Sequence, residues 1–128
     1  MSKIPVHPAN TPLPAGPYNH AIIAGGFVFV SGQTPEKPGT DELVEGGIEI
    51  QTRQVMEHLK TILTAAGCSM DDVVKVSAHL ADINDFPGYN KAYKEYFSEP
   101  FPARITVQSG IPGGALLEVD VVALRPAG

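Results

Sequence analysis

Two side chains stand out for the chemistry they could do. Arg104 sits in Phe101-Pro102-Ala103-Arg104-Ile105-Thr106-Val107, where Ala103, Ile105 and Val107 alternate with Arg104 and Thr106. A period of two marks a half-buried strand, here with a guanidinium pointing off one face. Pro102 can start such a strand, where its missing donor costs little. Glu118 lies in the otherwise apolar run 116–124, a second strand. An arginine among apolar neighbours needs an anionic partner, or its desolvation goes uncompensated. A planar guanidinium holds a carboxylate well, through two parallel hydrogen bonds. Two readings follow. Arg104 and Glu118 form a structural ion pair across neighbouring strands, or Arg104 holds an anionic ligand on which Glu118 works.

Other candidates are weaker. Tyr18 follows Gly16-Pro17 at the end of a stiff arm, and is either a packing anchor or a hydroxyl delivered to a site. Asn90 falls in a helical stripe, where a core or capping amide is the ordinary reading. Ser31 is flanked by Val30 and Gly32 and lacks the Gly-x-Ser-x-Gly elbow of a nucleophile. Cys68 lies just past a helix end, where the dipole raises a thiol pKa, so it reads as a small hydrophobe. His7, His20, His58 and His79 show no ligand spacing, and one cysteine cannot build a thiolate site, so no metal is expected. No glycine-rich phosphate loop occurs, so a tightly bound nucleotide is not expected either.

The elements that must position these residues can be read in order. Residues 1–20 hold prolines at 5, 8, 12, 14 and 17 and predict an extended arm. Residues 21–24 and 27–31 are short apolar runs joined by Gly25-Gly26, a hairpin signal. A loop rich in Pro, Gly and charge covers 34–47. Helical spacing of Val55, Leu59, Ile62, Leu63 and Ala66, widened by Met56, predicts a helix over 48–66 closed by Gly67. Residues 73–81 predict a strand with Val74, Val76, Ala78 and Leu80 on one face and Lys75, Ser77 and His79 on the other. Capping side chains at 82–85 introduce a second helix bearing Phe86, Tyr89, Asn90, Tyr93, Tyr96 and Phe97, with Pro87 in its first turn. Pro100 and Pro102 stop it and launch the Arg104 strand; 111–114 is a turn before the last strand, and 125–128 is a short tail. The result is an α+β fold, two helices on one face of a sheet. Half-polar strands such as 73–81 suggest that the other face meets another subunit of a symmetric oligomer.

Composition narrows the function. With 128 residues the chain is long enough for a single domain, 1–128. A net charge of −5 with nine scattered Lys and Arg argues against nucleic acid as partner. One cysteine excludes an intrachain disulfide and suits a reducing compartment. No apolar run nears a membrane span. A soluble cytoplasmic protein with no membrane partner is the expectation.

In this order and spacing the pieces resemble the reactive intermediate deaminase family, RidA or YjgF, over nearly the whole chain. They are Gly16-Pro17-Tyr18, Phe29-Val30-Ser31-Gly32-Gln33 with Pro35, Gln51-Thr52-Arg53-Gln54, Ala66-Gly67, and Asp72-Val73-Val74-Lys75. Asp82-Ile83-Asn84-Asp85-Phe86, Asn90, Tyr93, Phe97, Phe101-Pro102-Ala103-Arg104, Ile111-Pro112 and Glu118 complete the set. The resemblance implies a chorismate-mutase-like α+β fold, with a mixed sheet, and a homotrimer with clefts between subunits. It implies cofactor-free hydrolysis of enamines and imines, such as 2-aminoacrylate from pyridoxal-phosphate dehydratases, to 2-keto acids and ammonia. Arg104 would bind the substrate carboxylate, Glu118 would orient water or handle protons, and Tyr18 would reach the cleft from the arm. Ser31, Gly32 and Asn90 would line the site, with Thr106 contributing backbone groups where relatives often have cysteine. His20 stands where relatives commonly have glutamine, which puts substrate preference in question. The alternatives are a carboxylate-binding or chaperone-like trimer without turnover and, against the charge balance, an endoribonuclease.

Overall fold

A computed structural model describes residues 2–9, 11 and 14–126. Pro12 of the expected arm and residues 127–128 of the expected tail lie outside the described residues. The strands are β1 (Ile4–Val6), β2 (Ala21–Ala24), β3 (Phe27–Gln33), β4 (Val73–Leu80), β5 (Ala103–Gln108) and β6 (Leu117–Leu124). The helices are α1 (Ile48–Ala65) and α2 (Phe86–Tyr93). The strands form one sheet in the order β1-β2-β3-β6-β4-β5, antiparallel except for the parallel β4–β5 pair. This is the mixed α+β architecture expected, with both helices on one face.

Local chemistry accounts for the elements. Gly25 and Gly26 have φ of 59° and 86°, the paired left-handed conformation that a two-residue hairpin demands. On α1, Val55, Met56, Leu59, Ile62 and Leu63 are buried and form the expected stripe. They pack on Val28, Val30, Val76, Ala78, Leu117, Val119 and Val121 from the sheet, all buried in the same core. Gly67, with φ of 81°, follows the end of α1. The Asp82 side chain accepts from Asn84 N at 2.9 Å, capping the short turn at Ile83–Asp85 that leads into α2, while Asp85 at the start of α2 makes no side-chain cap bond.

Four details differ from the reading of the sequence. The proline arm contains a strand: β1 pairs with β2, and Pro5 is tolerated because β1 is an edge strand. Val74 does not share the buried face of β4. A register shift between Val73 and Lys75 turns it outward, 41% exposed, and Val73 is buried in its place. The second helix stops at Tyr93, and Tyr96 and Phe97 continue its apolar stripe through turns. Finally, the apolar stripe of β5 lies on the open side of the sheet. Ile105 is 52% and Val107 37% exposed, whereas Arg104 and Thr106 register with buried Val76 and Ala78 and so face the helices.

Candidate active site

The strand order decides how Arg104 and Glu118 relate. β4 lies between β5 and β6, so the two residues are not on neighbouring strands. Arg104 registers with Val76 on the helix-covered face. Glu118 registers with His79, on the opposite face. Two strand spacings across and three residues along separate their backbones by about 14 Å, with side chains diverging. The structural ion pair is therefore excluded within one chain, and so is joint action on one small ligand by this pair from a single protomer.

Each residue instead anchors its own cluster. Around Glu118, the β3–β6 register slips between Val30 and Gln33, placing an extra residue at Ser31-Gly32. Such bulges re-aim side chains. Here the bulge brings Gly32 under the carboxylate: a Cβ on Gly32 would lie 2.8 Å from Glu118 Oε2 and 3.0 Å from Cγ. Ser31 is not poised as a nucleophile. Its Oγ donates to the Asn19 carbonyl at 2.6 Å and its N–H to the His20 carbonyl at 2.9 Å. These bonds staple residues 18–20 to β3. Tyr18 leaves that staple 50% exposed, so it is not a packed anchor. Tyr18, His20 and Gly32 line one groove of about 580 Å³ with Gln33, Thr34 and His58 of α1; neither Glu118 nor Arg104 lines it. His20 is buried, its Nδ1 2.8 Å from that of His7, which ties the arm to this segment.

Around Arg104, three rings from α2 take the place of a carboxylate. The guanidinium carbon lies 4.7 Å from the Tyr93 ring centre and 5.5 Å from those of Phe86 and Tyr89. Among the described residues Arg104 takes part in no ion pair. Arg53 shows the contrast, with two bonds of 2.9 and 2.8 Å to Glu95. Burial pushes the Tyr89 and Tyr93 hydroxyls up from their ordinary pKa, the Arg104 charge opposing it, so both stay neutral near pH 7. Thr106 shares this face, and its hydroxyl is buried without a partner among the described residues. Asn90 is half-buried on the same helix. β5 is an edge strand, so one side of its backbone has no partner within the described chain.

The aromatic seat was the part that residue-by-residue reading missed. Its signal was present: Phe86, Tyr89 and Tyr93 recur at i, i+3 and i+7 just before the arginine strand. Among the described residues no group of His, Cys, Asp and Glu is placed to hold a metal ion, and no helix is long and apolar enough to cross a membrane.

Arg104 among three rings on an edge strand and Glu118 over the Gly32 bulge lie within an α+β fold that comparison with known proteins identifies. The family model described as Endoribonuclease L-PSP matches residues 8–125, and the chain belongs to this family, which includes the RidA, YjgF, TdcF and RutC proteins. It is 50% identical over 117 residues to a RutC family protein of Pyrococcus horikoshii, covering 91% of this chain and 93% of that one. It is 39% identical over 118 residues to the human 2-iminobutanoate/2-iminopropanoate deaminase, covering 91% and 86%. The crystal structure of Escherichia coli TdcF with bound serine superposes with a TM-score of 0.88 at 34% identity, over 96% of this chain and 99% of that one.

Proposed function

We propose that this chain hydrolyses small 2-imino and 2-enamino acids, such as 2-aminoacrylate released by pyridoxal-phosphate dehydratases, to 2-keto acids and ammonia. The observation that carries the reading is Arg104: a guanidinium held at an edge strand with no anion among the described residues paired to it. Its fork suits a substrate carboxylate and leaves the adjacent C=N carbon open. Water adds to that carbon, and the nitrogen takes up protons and leaves as ammonia; an enamine first accepts a proton at its terminal carbon. Glu118 orients the water and accepts its proton, with Ser31 and Gly32 holding the neighbouring backbone, and Tyr18, Asn90 and Thr106 lining the ligand. The reaction needs no cofactor. These imines hydrolyse unaided, so a gain of about 10³ requires only about 4 kcal/mol, within the reach of positioning and one carboxylate.

The site is completed between protomers. Arg104 and Glu118 point from opposite faces, so a small substrate meets both only if one comes from a second copy. The open face offers the surface for it: Phe27, Phe29, Ile105 and Leu124 are 40%, 47%, 52% and 50% exposed. An apolar area of this kind on a sheet marks an interface. We assign it to a homotrimer with three shared clefts, in the cytoplasm, where one free cysteine is at home.

The test is keto-acid formation from imines generated in situ by an amino-acid oxidase. Arg104→Ala is expected to abolish the acceleration while the fold survives; undiminished activity in that variant would remove the proposal. The serine held by TdcF, an amino acid and not an imine, favours one second reading, a carboxylate-binding trimer without turnover. That reading expects Glu118→Ala to match wild type in every assay. An endoribonuclease role fits poorly with a net charge of −5.

A further inference from the structure

An arginine that must bind a ligand's carboxylate faces a competition problem. A carboxylate of its own chain would fix the guanidinium but would also neutralise it and occupy its donors. A ring face holds a cation by its quadrupole, within about 6 Å of the centroid, and consumes neither charge nor N–H groups. Arg104 has three such rings, at 4.7, 5.5 and 5.5 Å, all from one helix. Those rings are themselves fixed. Tyr89 is fully buried and Tyr93 nearly so. Tyr93 stacks on Phe97 with centroids 4.5 Å apart and meets Tyr89 at 5.5 Å. The Tyr89 and Tyr93 hydroxyls also lie within hydrogen-bonding range of Arg104; as neutral phenols they bring no negative charge, and a guanidinium with five N–H groups keeps donors for a ligand.

We infer that Phe86, Tyr89 and Tyr93 are positioning residues, a rigid aromatic seat that holds the Arg104 guanidinium charged and with donors to spare for a small monocarboxylate. This rests on the carboxylate-binding role proposed above for Arg104 and extends it to residues that need not touch the substrate. The seat acts through binding and not through the water or proton steps, which belong to the Glu118 cluster. Loss of a ring therefore weakens carboxylate affinity and raises KM, leaving kcat largely in place.

The experiment compares wild type with Tyr93→Leu, Tyr93→Phe and Phe86→Leu. It uses steady-state kinetics on in situ imines and calorimetric titration with pyruvate, after unfolding curves and size measurement show each variant folded. Tyr93→Leu is expected to raise KM and the pyruvate Kd together, about tenfold, with kcat within twofold. Tyr93→Phe keeps the ring and is expected to restore both. Phe86 is only half-buried, so Phe86→Leu tests the seat with little risk to folding. A folded Tyr93→Leu and Phe86→Leu pair with wild-type KM and pyruvate affinity would overturn the inference, as would a Tyr93→Phe variant as impaired as Tyr93→Leu. Absence of turnover in wild type would remove the deaminase reading alone, because the pyruvate titrations would still decide the seat.

Discussion

Replacing Gly32 by alanine adds one methyl group directly over the Glu118 carboxylate. The new Cβ would stand 2.8 Å from Oε2 and 3.0 Å from both Cδ and Cγ. Carbon–oxygen and carbon–carbon contacts are comfortable at about 3.5 Å and beyond, so the carboxyl group must retreat by roughly 0.5–1 Å. The backbone offers no objection, because Gly32 is not among the glycines with positive φ. Gly→Ala at such a position even favours folding by about 0.4–1 kcal/mol through the unfolded state. The predicted result is a protein at least as stable as wild type with its carboxylate misplaced. A displacement of that size costs about 10²-fold in rate, or about 2.7 kcal/mol of barrier. In the proposed shared cleft the carboxylate is held by Arg104 of a neighbouring protomer, whose guanidinium and surrounding rings Gly32→Ala leaves unchanged, so pyruvate affinity should fall far less than kcat. The assay is suppression of semicarbazone formation from an imine made by an amino-acid oxidase, run beside thermal unfolding and pyruvate titration. Wild-type kcat in a folded Gly32→Ala protein would refute the claim that this carboxylate must rest on a bare glycine to act.

Other outcomes follow from the same geometry. If Arg104 and Glu118 meet only across protomers, mixing unfolded Arg104→Ala and Glu118→Ala chains and refolding them together should regain about a quarter of wild-type activity, the statistical share of intact clefts; no recovery would place both residues of a site in one chain. Phe29→Asp combined with Ile105→Asp puts charge into the exposed sheet face and should yield monomers by light scattering, inactive although every proposed site residue is present. The Cys68 thiol is pushed above its ordinary pKa by burial first and by Asp72 second, with Arg125 opposing. Its alkylation at pH 7–8 should therefore run well below that of a free thiol and recover only on unfolding or at higher pH; rapid labelling of the native protein would contradict that burial.

Alternation and helical spacing carried much of the fold in the sequence. The stripe through Val55, Leu59, Ile62 and Leu63 can be buried in only one way by a helix, and Gly25-Gly26 leaves little choice of turn. The Val74 assignment failed for a physical reason: a bulge shifts the inward set by one residue, and nothing in an unbroken run of β-formers marks where the extra residue falls. β1 escaped notice because prolines dominate the arm, and its pairing depends on a distant partner. The candidate site was legible only as residue types. Arg104 and Glu118 could be named as candidates from their strands, and Tyr18, Ser31, Gly32, Asn90 and Thr106 only from the family resemblance, but spacing says nothing of which face a neighbouring strand presents.

The sequence by itself determined every strand except β1 and both main helices, their approximate limits, the residues able to do chemistry and the family they resemble. Those are properties of local periodicity and of short motifs, and local sterics and side-chain burial set them. Tertiary structure alone decided that β4 stands between the strands of Arg104 and Glu118, that the two face opposite sides, and that rings instead of a carboxylate hold the arginine. Strand order and facing arise from contacts between segments far apart in the chain, where packing energy selects among registers that the local sequence permits equally.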